Sequence, residues 1–201
     1  FNPDYDMFGR HNNANASYMV VNGDYNSIEL TSIGATDNAT NLVQFNITGD
    51  NNSALININS DRAYFGPGVK SSHLTGNNNT LTADINDVGF NDVWVEFMKG
   101  SRNTYDIESY GNAANHNLSN LVGDDNQITI TNLQGYNNKT LVNDLKGNQN
   151  TIDITIDGGG GNNQANVGKN LGDNNTTTVS LTGYKNNVLR SMADGNNNIT
   201  T

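Results

Sequence analysis

The chain has 201 residues, of which 34 % are hydrophobic, and it carries a formal net charge of −10 at pH 7. That charge repels nucleic acid phosphates and anionic lipid, and no apolar run approaches the ~20 residues of a membrane-spanning helix. We therefore expect no nucleic acid partner and no membrane insertion. The sequence contains no cysteine, so disulfide bonds do not hold the fold.

The first residues precede any repeat. The chain begins Phe1-Asn2-Pro3-Asp4 without an initiator methionine, which predicts a mature chain whose signal peptide has been removed, and hence export. Residues 1–8 are predicted to form an N-terminal tail. The uninterrupted repeat that follows predicts a single domain over residues 9–201.

A phrase of the form Gly-x-x-Asn recurs along this domain and is followed by alternating apolar residues. The regular phrases begin at Gly23 and return every 23 to 27 residues. Glycine suits the turn because it adopts positive φ without a Cβ clash. The turn glycines predicted in the most regular stretch are Gly123, Gly135, Gly147, Gly160, Gly172, Gly183 and Gly195.

Each regular phrase predicts a strand with one apolar and one polar face. After Gly147, for example, Ile152 and Ile154 share one face while Thr151 and Asp153 share the other. Residues 60–75 lack a clear phrase and are predicted to bulge out as an irregular loop. The predicted apolar core ladder comprises Ile28, Leu30, Ile56, Ile58, Leu81, Ile85, Ile107, Ile128, Ile130, Ile152, Ile154, Val179 and Leu181.

Regular and irregular phrases alternate, which indicates two strands per repeat. Units of this length form either a meander or a β-solenoid, and identical positions that return once per repeat favour the solenoid. The predicted fold is an all-β solenoid of about eight two-strand rungs with cross-β stacking. At ~4.8 Å per rung it would be ~38 Å long.

The asparagines of the phrases are predicted to stack on one another. Asparagine tolerates turn conformations, and amides stacked rung on rung hydrogen-bond to one another along the axis, as in cross-β ladders. A structural role is therefore expected for them rather than a ligand-binding one. The predicted stacking ladder comprises Asn26, Asn52, Asn79, Asn103, Asn126, Asn150, Asn175 and Asn198, with Asn138, Asn163 and Asn186 in the irregular phrases.

The repeat resembles that of curlin, the subunit of bacterial curli fibres. The similarity is best in Ile152-Asp153-Ile154-Thr155-Ile156-Asp157 followed by Gly160-Gly161-Asn162-Asn163-Gln164-Ala165-Asn166-Val167, where a strand, a Gly-x-x-Asn turn and an x-Ala-x-Val strand follow one another. It covers residues 76–201 well and 9–75 loosely. Positions that hold glutamine in curlin hold Asn132, Ile156, Leu181 and Lys169 here.

The resemblance implies a β-solenoid that is exported and polymerises into extracellular functional amyloid in a biofilm matrix. The implied partners are further copies of the chain, a nucleator subunit, and secretion or chaperone machinery. The chain could be the major subunit or the nucleator.

The last residues independently predict head-to-tail assembly. The last residues lie within a strand phrase, so the expected end rung, Asn198, Ile199, Thr200 and Thr201, would present unpaired backbone groups. A contact between the last rung of one copy and the first rung of another does not close, and such contacts make filaments.

Catalysis is not predicted. His11, His73 and His116 lie far apart in the sequence and are expected to be isolated surface residues, and no nucleophile or paired-carboxylate constellation stands out. No cofactor is expected. Calcium at turn carboxylates such as Asp124 and Asp173 is the alternative left open, although aspartate is missing from the phrases at Gly135 and Gly183.

The strongest rival function is a monomeric β-solenoid binding module for ice, glycan or another surface. Its binding face would be the Thr-rich outer side of the regular strands, although Asp84, Asp106, Glu108 and Asp153 interrupt it. Threonine is also simply a good residue for a solvated strand face. The outward residues concerned are Thr80, Thr82, Thr129, Thr131, Thr151, Thr155, Thr176, Thr178 and Ser180.

Overall fold

Strands joined by tight turns make up the parts of the chain that a computed structural model describes, namely residues 4–9, 15–34, 41–60, 68–87, 92–111, 115–133, 137–189 and 193–201. These ranges contain no helix, and hence none long and apolar enough to cross a membrane. In chain order the strands are β1 (Asp4–Gly9), β2 (Asn15–Asn22), β3 (Ser27–Gly34), β4 (Asn41–Thr48), β5 (Ser53–Ser60), β6 (Gly68–Thr75), β7 (Thr80–Asp87), β8 (Asp92–Lys99), β9 (Thr104–Tyr110), β10 (Asn115–Leu118), β11 (Leu121–Val122), β12 (Gln127–Leu133), β13 (Lys139–Val142), β14 (Leu145–Lys146), β15 (Thr151–Gly161), β16 (Gln164–Val167), β17 (Asn170–Leu171), β18 (Thr176–Tyr184), β19 (Asn187–Leu189), β20 (Ala193–Asp194) and β21 (Ile199–Thr200).

Nine parallel strands form the first sheet, in the order β1-β3-β5-β7-β9-β12-β15-β18-β21. Equivalent positions of successive repeats lie side by side in it. Ile128 of β12, for example, pairs with Tyr105 of β9 on one side and with Ile152 of β15 on the other. The apolar residues of successive repeats therefore form continuous columns.

The second sheet is also parallel and divides along its length. It begins β2-β4-β6-β8, after which β8 pairs with β10 through Asp92–Val95 and with β11 through Met98–Lys99. Two narrow ribbons continue from there, β10-β13-β16-β19 and β11-β14-β17-β20. Left-handed residues at Asn120 and Asp144 mark the corner between them. From residue 115 onward, the second side of a coil therefore consists of two short strands rather than the single strand predicted.

The path of the chain is that of a β-solenoid. Each coil runs along the second sheet, turns at a Gly-x-x-Asn phrase, runs along the first sheet, and returns one strand further on. The predicted all-β solenoid is confirmed, whereas its count of about eight rungs stays a prediction. Parallel pairing is the natural outcome, because every coil runs in the same direction as the coil before it.

Between the two sheets lies a continuous apolar core. The members of the predicted core ladder buried there are Ile28, Ile56, Leu81, Ile85, Ile107, Ile128, Ile130, Ile152 and Ile154, with Val179 and Leu181 partly buried against them. The second sheet contributes residues such as Ile47, Leu74 and Met98 from its own inner face. The side chains of Leu30 and Ile58 lie outside the described residues.

Two segments differ from their predicted structure. The predicted tail, residues 1–8, includes residues 4–8 of β1, which pairs in parallel with β3 through its backbone. The predicted loop, residues 60–75, includes β6, which pairs with β4 and β8 across several register shifts. These shifts explain why no clear phrase is visible there, since an irregular register disrupts a strict period of two. Residues 61–67 lie outside the described ranges.

Candidate functional site

The Gly-x-x-Asn turns share one backbone conformation. In the eight regular turns the glycines have φ between +126° and +146°, and the residue two positions later is left-handed although it is never glycine. At Gly123, with φ of +146°, this left-handed residue is Asp125, with φ of 57°. In the other turns it is Tyr25, Asn51, Asn78, Arg102, Gln149, Asn174 or Asn197. The sequence pattern predicted the turn but not this second left-handed position, whose residue type varies.

Close contact between successive turns makes glycine necessary. A Cβ placed on Gly123 would lie 1.9 Å from the carbonyl oxygen of Gly100. Since this contact is with rigid backbone, no side-chain movement could relieve it. Gly147, Gly172 and Gly195 stand against the preceding glycine carbonyl in the same way.

In the regular turns, each ladder asparagine from Asn52 to Asn198 binds the turn before it. The Oδ1 of Asn150 accepts a hydrogen bond from the backbone N–H of Asn126 at 2.9 Å, and its Nδ2 donates to the carbonyl of Gly123 at 2.9 Å. The Oδ1 bond recurs at 2.8–2.9 Å for Asn52, Asn79, Asn103, Asn126, Asn175 and Asn198. The Nδ2 bond recurs for Asn79, Asn103, Asn175 and Asn198.

These bonds differ from the predicted amide-to-amide ladder. In the regular turns the asparagine amide bonds mainly to backbone groups, and a side-chain bond between neighbours occurs at Asn26, whose Nδ2 donates to Oδ1 of Asn52 at 3.0 Å. The physical reason is that turn N–H and C=O groups need partners that the strands do not supply. Asparagine side chains bonded in this way can be buried, and Asn79, Asn103, Asn150 and Asn175 are fully buried.

A second ladder, of opposite direction, uses the residue directly after each glycine. The Oδ1 of Asp124 accepts the backbone N–H of Asn148 at 2.7 Å, and the Oδ1 of Asn148 accepts that of Asp173 at 2.8 Å. Here a side chain reaches forward to the next turn, whereas the ladder asparagines reach backward. The second-position residues are Asp24, Asp50, Asn77, Ser101, Asp124, Asn148, Asp173 and Asn196.

The second ladder was missed by the sequence reasoning, although a signal for it exists. All eight second-position residues are Asp, Asn or Ser, side chains with an oxygen acceptor on a short stem. The contacts also give the turn carboxylates a role other than metal binding. Among the described residues, no group of three or more His, Cys, Asp or Glu could hold a metal ion.

Backbone bonds complete the contact between turns. The N–H of Gly123 donates to the carbonyl of Lys146 at 2.9 Å, and the N–H of Asp125 donates to that of Asn148 at 3.0 Å. The N–H of Thr151 donates back to the carbonyl of Asn126 at 2.8 Å. Each turn therefore presents one set of donors and acceptors to the coil before it and the complementary set to the coil after it.

The asparagines of the irregular phrases are stacked less regularly. Asn138 and Asn163 are fully buried, with the N–H of Asn138 donating to Oδ1 of Asn163 at 3.3 Å. Asn163 in turn donates through Nδ2 to Oδ1 of Asn186 at 3.1 Å. Of the predicted turn glycines here, Gly183 has φ of +114°. Gly160 instead lies within β15 at a break in register, and Gly135 lies outside the described residues.

A buried polar cluster crosses the solenoid interior, formed by Ser109, His116, Asn132 and Thr140, each at most 1 % exposed. The Oδ1 of Asn132 is 2.6 Å from Oγ of Ser109 and 2.5 Å from Nε2 of His116, and its Nδ2 donates to Oγ1 of Thr140 at 3.1 Å. The expectation that His116 is a surface residue was wrong. The side chain lies between the sheets, where Ser109 of β9 and Asn132 of β12 both bond to its Nε2.

The predicted end rung lies at the edge of the first sheet. β21 pairs with β18, and the N–H groups of Ile199 and Thr201 donate to the carbonyls of Asn175 and Thr177, both at 3.0 Å. Ile199 is 58 % exposed, and Thr200 and Thr201 are exposed as well. Because bonding alternates along a parallel strand, the N–H and C=O of Thr200 point away from β18.

Comparison of the chain with protein-family models, with curated proteins and with solved structures found no match.

Proposed function

We propose that this chain is a structural subunit that assembles end to end into an extracellular, curli-like functional amyloid fibre of a bacterial biofilm matrix. The observation that carries the proposal is the sameness of the contact between coils. One Oδ1-to-N–H bond joins each of the successive turns from Asn26 to Asn198. A contact that repeats by translation within a molecule can repeat between molecules, and such head-to-tail contacts do not close.

The proposed mechanism is templated addition of one solenoid to the end coil of another. The new contact would use main-chain pairing, stacked isoleucines and both turn ladders, as in cross-β assemblies. With about eight rungs at ~4.8 Å, each subunit would add ~38 Å to the fibre. The resemblance of the repeats to those of curlin supports three further parts of the proposal. The chain would belong to the curlin family, serve as its major subunit or nucleator, and have secretion machinery as a partner.

Growth at β21 is tested by a proline at Thr200. Thr200→Pro removes an N–H that points away from β18, while the inward bonds of Ile199 and Thr201 keep their donors. We expect the parent chain to form unbranched filaments with an axial repeat of ~38 Å by electron microscopy. The proline variant should stay dispersed, because every head-to-tail contact uses the β21 end of one of the two copies.

Thr200→Val is the matched control, since it keeps the N–H and the strand propensity and should leave filament growth intact. Circular dichroism of both variants would verify that the solenoid is folded. Filaments of the proline variant that grow at the parent rate would contradict the mechanism. Parent molecules that remain single rods would contradict the fibre itself.

A monomeric binding module is the second candidate, and one observation favours it. In the first sheet, Ser53, Thr80 and Thr104 are paired neighbours in a single column, which Gln127 interrupts before Thr151 and Thr176. Regular hydroxyl columns of this kind could match a repeating surface such as ice or glycan. Thermal hysteresis or glycan binding by dispersed rods, without filaments, would favour this function over the fibre.

A further inference from the structure

The two outer sides of the solenoid differ in charge. The strands of the first sheet contain nine acidic residues and no lysine or arginine, whereas those of the second sheet contain four lysines against three acids. The first-sheet acids are Asp4, Asp6, Glu29, Asp84, Asp87, Asp106, Glu108, Asp153 and Asp157. We call the outer side of the first sheet the acidic face and that of the second sheet the lysine side, each defined by its described exposed residues: Glu29, Asp84, Asp106, Glu108, Asp153 and Asp157 on the first, and Lys99, Lys139 and Lys146 on the second.

Carboxylates on the acidic face stand close together without a basic neighbour in their own sheet. Asp84 and Glu108 are paired on adjacent strands, and both are exposed. Asp106 and Asp153, also exposed, flank Thr129 in another column. Like charges at such spacings are mutually destabilising, and a cationic surface laid over the sheet would relieve that repulsion.

The lysine side carries its charges at the same spacing along the axis. Lys99 and Lys146 are exposed and flank Val122 in one column, just as Asp106 and Asp153 flank Thr129. Both pairs are 47 residues apart and therefore span the same two coils. Each pair is separated along the axis by two strand spacings, which is about 10 Å.

From this match we infer that the acidic face of one copy docks laterally on the lysine side of a second, parallel copy. In that arrangement Asp106 and Asp153 lie at the same height as Lys99 and Lys146 of the neighbour. Exposed Lys139 and Lys169 add to the lysine side, while Asp144 and Asp194 are the exposed acids described there. The contact is heterologous, so it can extend from copy to copy into a layer or bundle.

Individual surface ion pairs contribute little, and the contact depends on repetition. A single pair of solenoids would associate weakly and in a salt-dependent way. Where copies are joined end to end, each additional subunit adds the same charge pairs. The linked subunits meet their partners at a high effective concentration, so the affinity of the lateral contact rises with filament length. The lateral contact does not require end-to-end growth.

Reciprocal charge reversal tests the proposal. Asp106→Lys/Asp153→Lys makes both matched columns basic, and Lys99→Glu/Lys146→Glu makes both of them acidic. Each double variant alone should need about tenfold more protein for lateral association at ~0.1 M salt, where the Debye length is ~10 Å. An equal mixture of the two variants should associate as the parent does, because opposite sides then face each other. About 1 M salt should abolish association in every case.

Sedimentation velocity measures side-by-side association of dispersed solenoids, and electron microscopy measures bundle width where filaments form. If end-to-end growth fails, sedimentation still decides the lateral contact, so the two proposals fail separately. Asp125→Lys is the control: it reverses one charge at an exposed turn position that lies outside both matched columns. It should leave lateral association unchanged.

The variant carrying all four reversals exchanges the charges of the two matched columns and should regain association, which a misfolded variant would not do. Double variants that associate like the parent would overturn the proposal, as would a mixture that stays dispersed. Binding of polylysine by a chain whose own copies never associate would overturn it too, in favour of a polycationic partner for the acidic face.

Discussion

At the scale of single residues, the turns depend on short polar side chains that bond to backbone. Asn150 uses its amide oxygen and nitrogen for two backbone groups of the preceding turn, while Asp124 uses a carboxylate oxygen for one group of the following turn. Net gains of about 1 kcal/mol per hydrogen bond are typical. The free energy of unfolding becomes substantial because many equivalent turns each contribute such bonds, and the contributions of neighbouring coils add.

Tyr105 is a fully buried tyrosine whose phenol pKa is shifted by its surroundings. It lies in an apolar column between Leu81 and Ile128, and burial raises the pKa of its phenol well above its ordinary value. Its hydroxyl has no hydrogen-bond partner among the described residues. Such a buried, unpaired group costs about 1–3 kcal/mol.

We therefore expect Tyr105→Phe to be as stable as the parent or more so at neutral pH. The folded state holds the phenol neutral, whereas the unfolded chain ionises it near pH 10. The stability linked to Tyr105 is thus fully present below pH 10 and is lost as pH rises above it. Urea unfolding at pH 7 and pH 11 should show a smaller loss of stability for Tyr105→Phe than for the parent, and equal losses would contradict this.

At the scale of elements, the pairing of neighbouring strands decides where polar groups can be buried. Asn132 is paired with Ile156 in the next strand of the first sheet, and Thr140 is paired with Ala165 in the second. The buried polar cluster therefore replaces apolar residues in two adjacent coils only. It ties β9, β10, β12 and β13 together through directional bonds.

Replacing one member of this cluster should cost more than replacing all of it. Asn132→Ile leaves Ser109, His116 and Thr140 without their shared partner, so we expect a loss of about 3 kcal/mol or more. Ser109→Ala, His116→Leu, Asn132→Ile and Thr140→Val combined should lose less than the single change, since no polar group then stays unpaired. Chemical denaturation of the two variants decides this, and a larger loss for the combined variant would contradict it.

At the scale of the whole molecule, the solenoid is one contact repeated along an axis. Removal of a complete coil should therefore be tolerated, because the coils on either side can contact each other in the same way. Residues 148–172 form such a unit, from the residue after Gly147 to the next turn glycine. Their removal leaves the buried polar cluster intact and places Asp173 directly after Gly147.

The variant lacking residues 148–172 should fold as a solenoid shorter by about 4.8 Å. Removal of residues 148–159, about half a coil, is the control and should abolish folding, since the chain would then reach the wrong sheet. Circular dichroism and hydrogen exchange report the difference. Equal disruption by both deletions would show that the coils are not interchangeable.

The sequence by itself determined the solenoid and most of its core, because each coil of a solenoid needs the same residue types at the same positions, and the sequence therefore repeats once per coil. Glycines at a fixed interval and isoleucines at alternate positions specify turn, face and register together. The second-position ladder was equally readable in Asp, Asn and Ser after every glycine, although it was missed. The tertiary structure alone decided the rest.

Strand β1 and strand β6 lie where no clear phrase exists, since their pairing is supplied by neighbouring strands rather than by their own pattern. The direction of the turn hydrogen bonds depends on which coil lies above and which below. His116 is buried because Ser109 and Asn132 reach it from two different coils, and distances across a core are not encoded in local spacing.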